Sequence, residues 1–200
     1  MTSASPYPHR HSGPVLVCGN AWCLDEDIAR ARALRPDAVV IAVNGAAGAV
    51  PAFALFSHHP EKLPKWITAQ SLHFGPRFTV HSSGAIAPTR LGRNRGAMPW
   101  VDHWWPAARG GGTSAWCAVK LARLMGFDEV VLCGAPLTTG SYSDGRMARD
   151  FNRPEILGHY RAQIAKDTGW HAGVTSMSGW TRDFFGEPPL APPEDSAGRE

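Results

Sequence analysis

The run Gly110-Gly111-Gly112-Thr113-Ser114 has the residue types that hold an anion. Glycines let the backbone approach a ligand closely, and the free N–H groups and positive dipole of a helix start suit phosphate. Composition leaves two readings open: a phosphate cradle, or a glycine linker capped by Thr. Asn20, after Gly19, and Asn44, before Gly45, each close an apolar run. Either is a turn former, or an amide that hydrogen-bonds a base or ribose. His159 begins a predicted helix, where it is a solvent-facing residue or a proton acceptor, since the ordinary imidazole pKa lies near neutrality. His58-His59, before Pro60, reads as a pair of loop histidines, and no metal site is expected.

These residues need elements to hold them. Val15 to Cys18 is a short apolar run, and LDEDIARARAL after it places Leu24, Ile28, Ala31 and Leu34 at helical spacing with acids in the first turn. Ala38 to Val43 is β-branched without polar alternation, the signature of a strand buried on both faces. Strands are predicted near Phe53 to Phe56 and Phe78 to His81, with a short helix around Trp66 between them. The clearest unit is AWCAVKLARLMG, capped by Thr113-Ser114 and stopped by Gly126, followed by the strand FDEVVLCG. Glu155 to Asp167 reads as a helix and the segment around Gly173 to Ser176 as a last strand. The alternation predicts an α/β, Rossmann-like, open and mostly parallel sheet with helices on both faces, in a single domain. Ligands bind such sheets outside the carboxyl ends of the strands, where Gly19-Asn20, Asn44-Gly45 and Gly134 to Tyr142 fall.

Residues 15–186 are expected to form this domain. Residues 1–14 and 187–200 are expected to be disordered tails, rich in Ser, Pro, His or charge, and 82–112 a long loop or lid. Trp100, Trp104 and Trp105 in that loop either pin it to the core or stack on a sugar or base.

Composition narrows the function. The net charge of +3 is small and scattered, which suits an anionic small ligand and argues against nucleic acid. No run approaches the roughly 20 apolar residues of a membrane span, and no secretory signal opens the chain. Cys18, Cys23, Cys117 and Cys133 read as reduced, buried thiols of a cytoplasmic protein. With neither G-x-G-x-x-G nor a P-loop, a nicotinamide enzyme or ordinary P-loop kinase is not expected.

VLVCGNAWCLDEDI followed by AVVIAVN resembles the strand–GNGPSL–helix–strand–Asn opening of bacterial sialyltransferases of the Campylobacter type, shared by the related hydroxymethylpterin pyrophosphokinase-like proteins. GTSAWCAVKLARLMGFDEVVLCGAPL is similar to their segment ending in G-x-D, TGSYSDG to the G-S-S-Y stretch after it, and LGHYRAQIAKDTGW to the sialyltransferase segment with a histidine ahead of a helix. The resemblance implies that Gly19, Asn20 and Asn44 touch a nucleotide donor and that Gly112, Thr113 and Ser114 line its phosphate or sugar. It also implies Tyr142 beside the leaving phosphate and His159 as general base. Two departures stand out: Ala21-Trp22-Cys23 replaces G-P-S, and Pro136 replaces the Asp of G-x-D.

Three functions follow. The first is a nucleotide-dependent transferase of the nucleotide-sugar glycosyltransferase kind, with a CMP-sugar-like donor and a hydroxyl acceptor, either a glycan or a small molecule. The second is an ATP-dependent pyrophosphokinase of the hydroxymethylpterin type, which would use Mg2+. The third is a nucleotide-binding module without catalysis.

Overall fold

The computed structural model describes residues 7–83, 98–148 and 152–190. Its strands are β1 (Pro14–Cys18), β2 (Val39–Val43), β3 (Ala54–Ser57), β4 (Thr79–Ser82), β5 (His103–Trp104), β6 (Glu129–Cys133) and β7 (Val174–Ser176). They form one parallel sheet in the order β5-β4-β3-β2-β1-β6-β7. The helices are α1 (Leu24–Leu34), α2 (Leu63–Phe74), α3 (Ser114–Met125), α4 (Pro154–Lys166) and α5 (Gly179–Phe185). This is the Rossmann-like α/β fold that the alternation predicts.

The apolar runs form two cores, one on each face of the sheet. Val15, Val17, Ile41, Val43, Phe56, Val130 and Leu132 point to one core, with α3 lying across it through Trp116, Val119 and Met125. Leu16, Cys18, Val40, Ala42, Leu55, Val131 and Cys133 point to the other, covered by Leu24 and Ala31 of α1, with Trp66 and Ile67 of α2 packed at its side. Strands with such a double load have no polar face, so alternation is absent from their sequences. The chain walks outward from β1 to β5 and returns along α3 to β6, so that β1 and β6 are neighbours whose connections leave in opposite directions. The crevice between them is the topological switch point at which α/β sheets bind ligands.

Three stretches at the expected boundaries make contacts of their own. Residues 7–13 are anchored: the His11 N–H donates to the Met125 carbonyl at 2.9 Å, and the Tyr7 ring packs against His81, His103 and Trp105. Aromatic packing does there what an aliphatic run would have signalled. Residues 187–190 are held by α1, through an Arg30–Glu187 pair at 2.8 Å and a bond from Arg35 to the Pro189 carbonyl at 3.0 Å. Within 82–112, His103 and Trp104 form the edge strand β5, and residues 84–97 of the expected lid lie outside the described residues. Trp105 packs on the core, Trp105 Nε1 donates to His81 Nδ1 at 3.0 Å, and Trp100 Nε1 donates to the Pro60 carbonyl at 3.0 Å. α5 was not read from the sequence; at seven residues it is too short for a periodic stripe.

Candidate functional site

The turn after β1 sets the floor of the site. The Gly19 N–H donates to the Cys133 carbonyl at 2.8 Å, and the Ala21 N–H donates to that of Gly134 at 3.0 Å, which ties the exits of β1 and β6 together. Asp27, buried on α1, accepts the Gly134 N–H at 2.8 Å and the Ser178 hydroxyl at 2.7 Å. Burial raises its carboxyl pKa above the ordinary value, against the pull of those bonds. The loop after β6 folds over the first turn: Ala21 and Tyr142 form a β-bridge, and the Trp22 N–H donates to the Ser141 carbonyl at 3.1 Å.

Both asparagines point the same chemistry into the crevice. Asn20 Oδ1 accepts from the Ser143 hydroxyl at 2.7 Å, and Asn44 Oδ1 accepts from the Ser57 hydroxyl at 2.7 Å. Each therefore spends its oxygen on the protein, and neither Nδ2 has a hydrogen-bond partner among the described residues. Asn44 also has a φ of 53°, a left-handed conformation that asparagine tolerates better than most side chains. A turn conformation and an amide donor without a partner among the described residues thus coexist in one residue.

The glycine run earns its composition. Gly110, Gly111 and Gly112 have φ values of +85°, +73° and +128°, all in the region that favours glycine. Thr113 then caps α3, its hydroxyl accepting the Trp116 N–H at 3.3 Å. Beneath the run, buried Lys120 donates to the Gly110 carbonyl at 3.0 Å and pairs with Asp167, which also accepts Trp116 Nε1 at 2.9 Å. Burial pushes the Asp167 carboxyl up, but the Lys120 and Trp116 bonds outweigh it and hold it below its ordinary value.

These loops enclose a cleft of about 560 Å³. Gly19, Asn20, Asn44, Gly112, Thr113, Ser114 and Tyr142 all line it, so seven of the eight predicted site residues meet in one wall. The eighth does not. His159 is exposed on α4 and hydrogen-bonded to Gln163 Nε2 at 2.8 Å, while its neighbour Tyr160 faces the cleft. Successive helix residues are turned by about 100°, so the two cannot share a face.

The imidazoles in the wall are His58 and His59, at the exit of β3, which the sequence reading leaves as loop histidines. His58 Nδ1 is bonded to the Ser83 hydroxyl at 3.2 Å, and Nε2 has no hydrogen-bond partner among the described residues. Burial above all, then His59 and Arg109, lower its pKa, which favours the neutral ring. Lys62, Lys65 and Arg146 also line the cleft, and no carboxylate is among its described lining residues. The sequence reading missed these cations and Asp27. The available signal was an acid at position 27, on the buried stripe between Leu24 and Ala31.

An open parallel sheet with a cleft at its switch point defines a Rossmann-like architecture, and a solved structure shares it. The sialyltransferase CstII from Campylobacter jejuni, determined with the substrate analogue cytidine-5'-monophosphate, matches with a TM-score of 0.58 at 15% identity, over 90% of this chain and 86% of that one. The MAf glycosyltransferase from Magnetospirillum magneticum AMB-1 gives a TM-score of 0.42 at 15% identity, over 78% of this chain and 31% of that one. The likeness to the first establishes the fold. No protein-family model and no curated protein sequence matches the chain. No helix among the described residues is long and apolar enough to cross a membrane.

Proposed function

We propose that this protein is a nucleotide-dependent transferase, most like a nucleotide-sugar glycosyltransferase, that binds its donor in the β1/β6 cleft and passes the sugar to a hydroxyl acceptor. The observation that carries the reading is the convergence of Asn20, Asn44, Thr113, Ser114 and Tyr142 on one cation-lined cleft. In this reading the two Nδ2 groups hold the nucleoside and the start of α3 receives the phosphate. The Tyr142 phenol hydrogen-bonds the charge that develops on the departing nucleotide. An acceptor hydroxyl gives its proton to Nε2 of His58, whose neutral form burial favours and whose ring Ser83 holds in place. Its oxygen attacks the anomeric carbon as the bond to the nucleotide phosphate breaks. The cytidine-5'-monophosphate in the C. jejuni enzyme suggests a CMP-sugar-like donor.

The pyrophosphokinase reading needs carboxylates for Mg2+, and Pro136 stands in the cleft wall where the resemblance has Asp. It therefore ranks second. A thermal-shift panel of CMP, UDP, GDP and ADP derivatives, with and without magnesium, tests the ranking, because a ligand that binds only the folded state raises the Tm. Stabilisation by a cytidine nucleotide without metal is the expected result. Stabilisation by ATP that depends on magnesium reverses the ranking, binding without turnover across donor and acceptor screens leaves a nucleotide-binding module, and no response to any nucleotide overturns the reading.

A further inference from the structure

Lys62 and Lys65 stand in the two turns that lead into α2. Lys62 closes the 3-10 turn Pro60–Lys62, which carries Glu61, and Lys65 lies in the first turn of α2, which contains no acid. Helix starts are electropositive, so a lysine there opposes the dipole, and two like charges three residues apart repel across one face. Among the described residues neither forms an ion pair, and Lys65 Nζ instead sits 3.8 Å from the centre of the Trp66 ring, which fixes the ammonium at the wall. Arg146 reaches the same cleft from the loop after β6. Its partner is Asp144, and both members of that pair are exposed, so the guanidinium is released at little cost. Desolvation, followed by Lys62 and Arg146, lowers the pKa of Lys65, so the three cations feel one another. Three cations on one wall whose described lining holds no carboxylate favour an anion between them.

We infer that Lys62, Lys65 and Arg146 form a second anion subsite in the cleft, separate from the start of α3, that takes a second phosphate group. The inference rests on the nucleotide reading above and deepens it. The second phosphate comes either from a nucleoside diphosphate donor or from a phosphorylated acceptor that lies beside a monophosphate donor. A monophosphate engages the α3 start alone, whereas a diphosphate or a second phosphate ion reaches the lysines as well.

Calorimetric titration of the full chain with CMP, CDP, UMP and UDP, and of the CMP-saturated protein with inorganic phosphate, tests this in the wild type and in the double variant Lys62→Gln/Lys65→Gln. Both side chains are exposed, so the variant folds, and relief of the helix-start repulsion should leave its ligand-free Tm equal to or above that of the wild type. The wild type should bind the diphosphate about tenfold more tightly than the monophosphate, or bind phosphate on top of CMP, and the variant should lose that gain while keeping its monophosphate affinity. The diphosphate arm alone identifies the donor as the source, and the phosphate arm alone identifies the acceptor. Monophosphate binding with no gain in either arm, or a gain that survives in the variant, overturns the subsite and leaves the nucleotide reading standing. Failure of every nucleotide to bind removes both.

Discussion

Gly19 and Gly134 meet across the exits of β1 and β6 so closely that a Cβ added to either would lie 2.5 Å from the carbonyl oxygen of the other. The floor of the cleft is therefore two backbones in contact, and only glycine at both positions lets the strands end side by side. Gly134 also has a φ of +59°, and an added Cβ would press Leu24 at about 3 Å.

Gly134→Ala is accordingly expected to cost about 2–4 kcal/mol, the sum of a left-handed alanine and a clash with backbone that cannot move aside. Gly145→Ala, at a φ of +78° but with nothing near its Cβ, should cost only the conformational part, about 1–2 kcal/mol. Urea denaturation of the two variants makes the comparison. Equal losses would show that the contact with Gly19 is soft.

Acid should weaken the fold through His81. Its ring is buried, with Nδ1 accepting from Trp105 Nε1 at 3.0 Å and Nε2 bonded to the Thr79 hydroxyl at 2.7 Å, which leaves no room for a second ring proton. Burial first, then His103 and His11, lower its pKa to about 3. The folded state thus binds fewer protons than the unfolded one between pH 3 and pH 6.5, so stability is full above pH 6.5 and falls as the pH drops through that window. The slope from this residue is about 1.4 kcal/mol per pH unit, or about 2 kcal/mol lost by pH 5. His81→Gln should be less stable at pH 7 and should lose less on going to pH 5. An unchanged difference between the two pH values would assign the acid sensitivity elsewhere.

The glycine run rests on a charge pair outside the cleft lining. Lys120 is 4% exposed, and its ammonium lies between the Gly110 carbonyl and Asp167. Asp167→Asn leaves that ammonium buried without a counter-charge and is expected to cost about 3–5 kcal/mol. Lys120→Met removes the cation and should cost less, since Trp116 Nε1 still satisfies one oxygen of Asp167. Both variants free Gly110 and Gly111, so nucleotide affinity should fall alongside Tm. Unaltered affinity in a folded Lys120→Met protein would show that the run holds its shape by φ preference alone.

The sheet was legible because its information is local. Val15 to Cys18, Ala38 to Val43 and the α3–β6 unit each state their own element through continuous apolar runs, a Thr cap and a Gly stop. The convergence of Asn20, Asn44 and Ser114 followed from topology, since strand exits of a parallel sheet share one edge. Three features escaped because they exist only across distance. His103 becomes a strand only by pairing with His81, Asp27 matters only through Gly134, and the lysines of α2 look like an ordinary solvated helix start until Arg146 faces them. His159 shows the opposite limit: similarity to a motif names a residue type, while the helical phase places Tyr160 rather than His159 at the cleft wall.

That phase leads to the sharpest test of the mechanism. His58 lines the cleft with no partner for Nε2 among the described residues, whereas His159 is tied to Gln163 outside the wall. The readout is release of nucleotide from whichever sugar donor the thermal-shift panel selects. His58→Asn should slow turnover by about 10²–10⁴-fold, the usual value of a positioned general base, with donor affinity retained. Activity of the wild type should fall at acid pH as the imidazole is protonated, from a midpoint below the ordinary histidine value because burial favours the neutral ring. Ser83→Ala, which frees Nδ1, should lower kcat with little change in KM, since it disturbs the orientation of the base and not the donor contacts. His159→Ala should leave all three measurements close to wild type. Loss of turnover in His159→Ala with His58→Asn unaffected would mean that α4 rotates or that His159 leaves Gln163 when the ligand binds, and the base would then be His159.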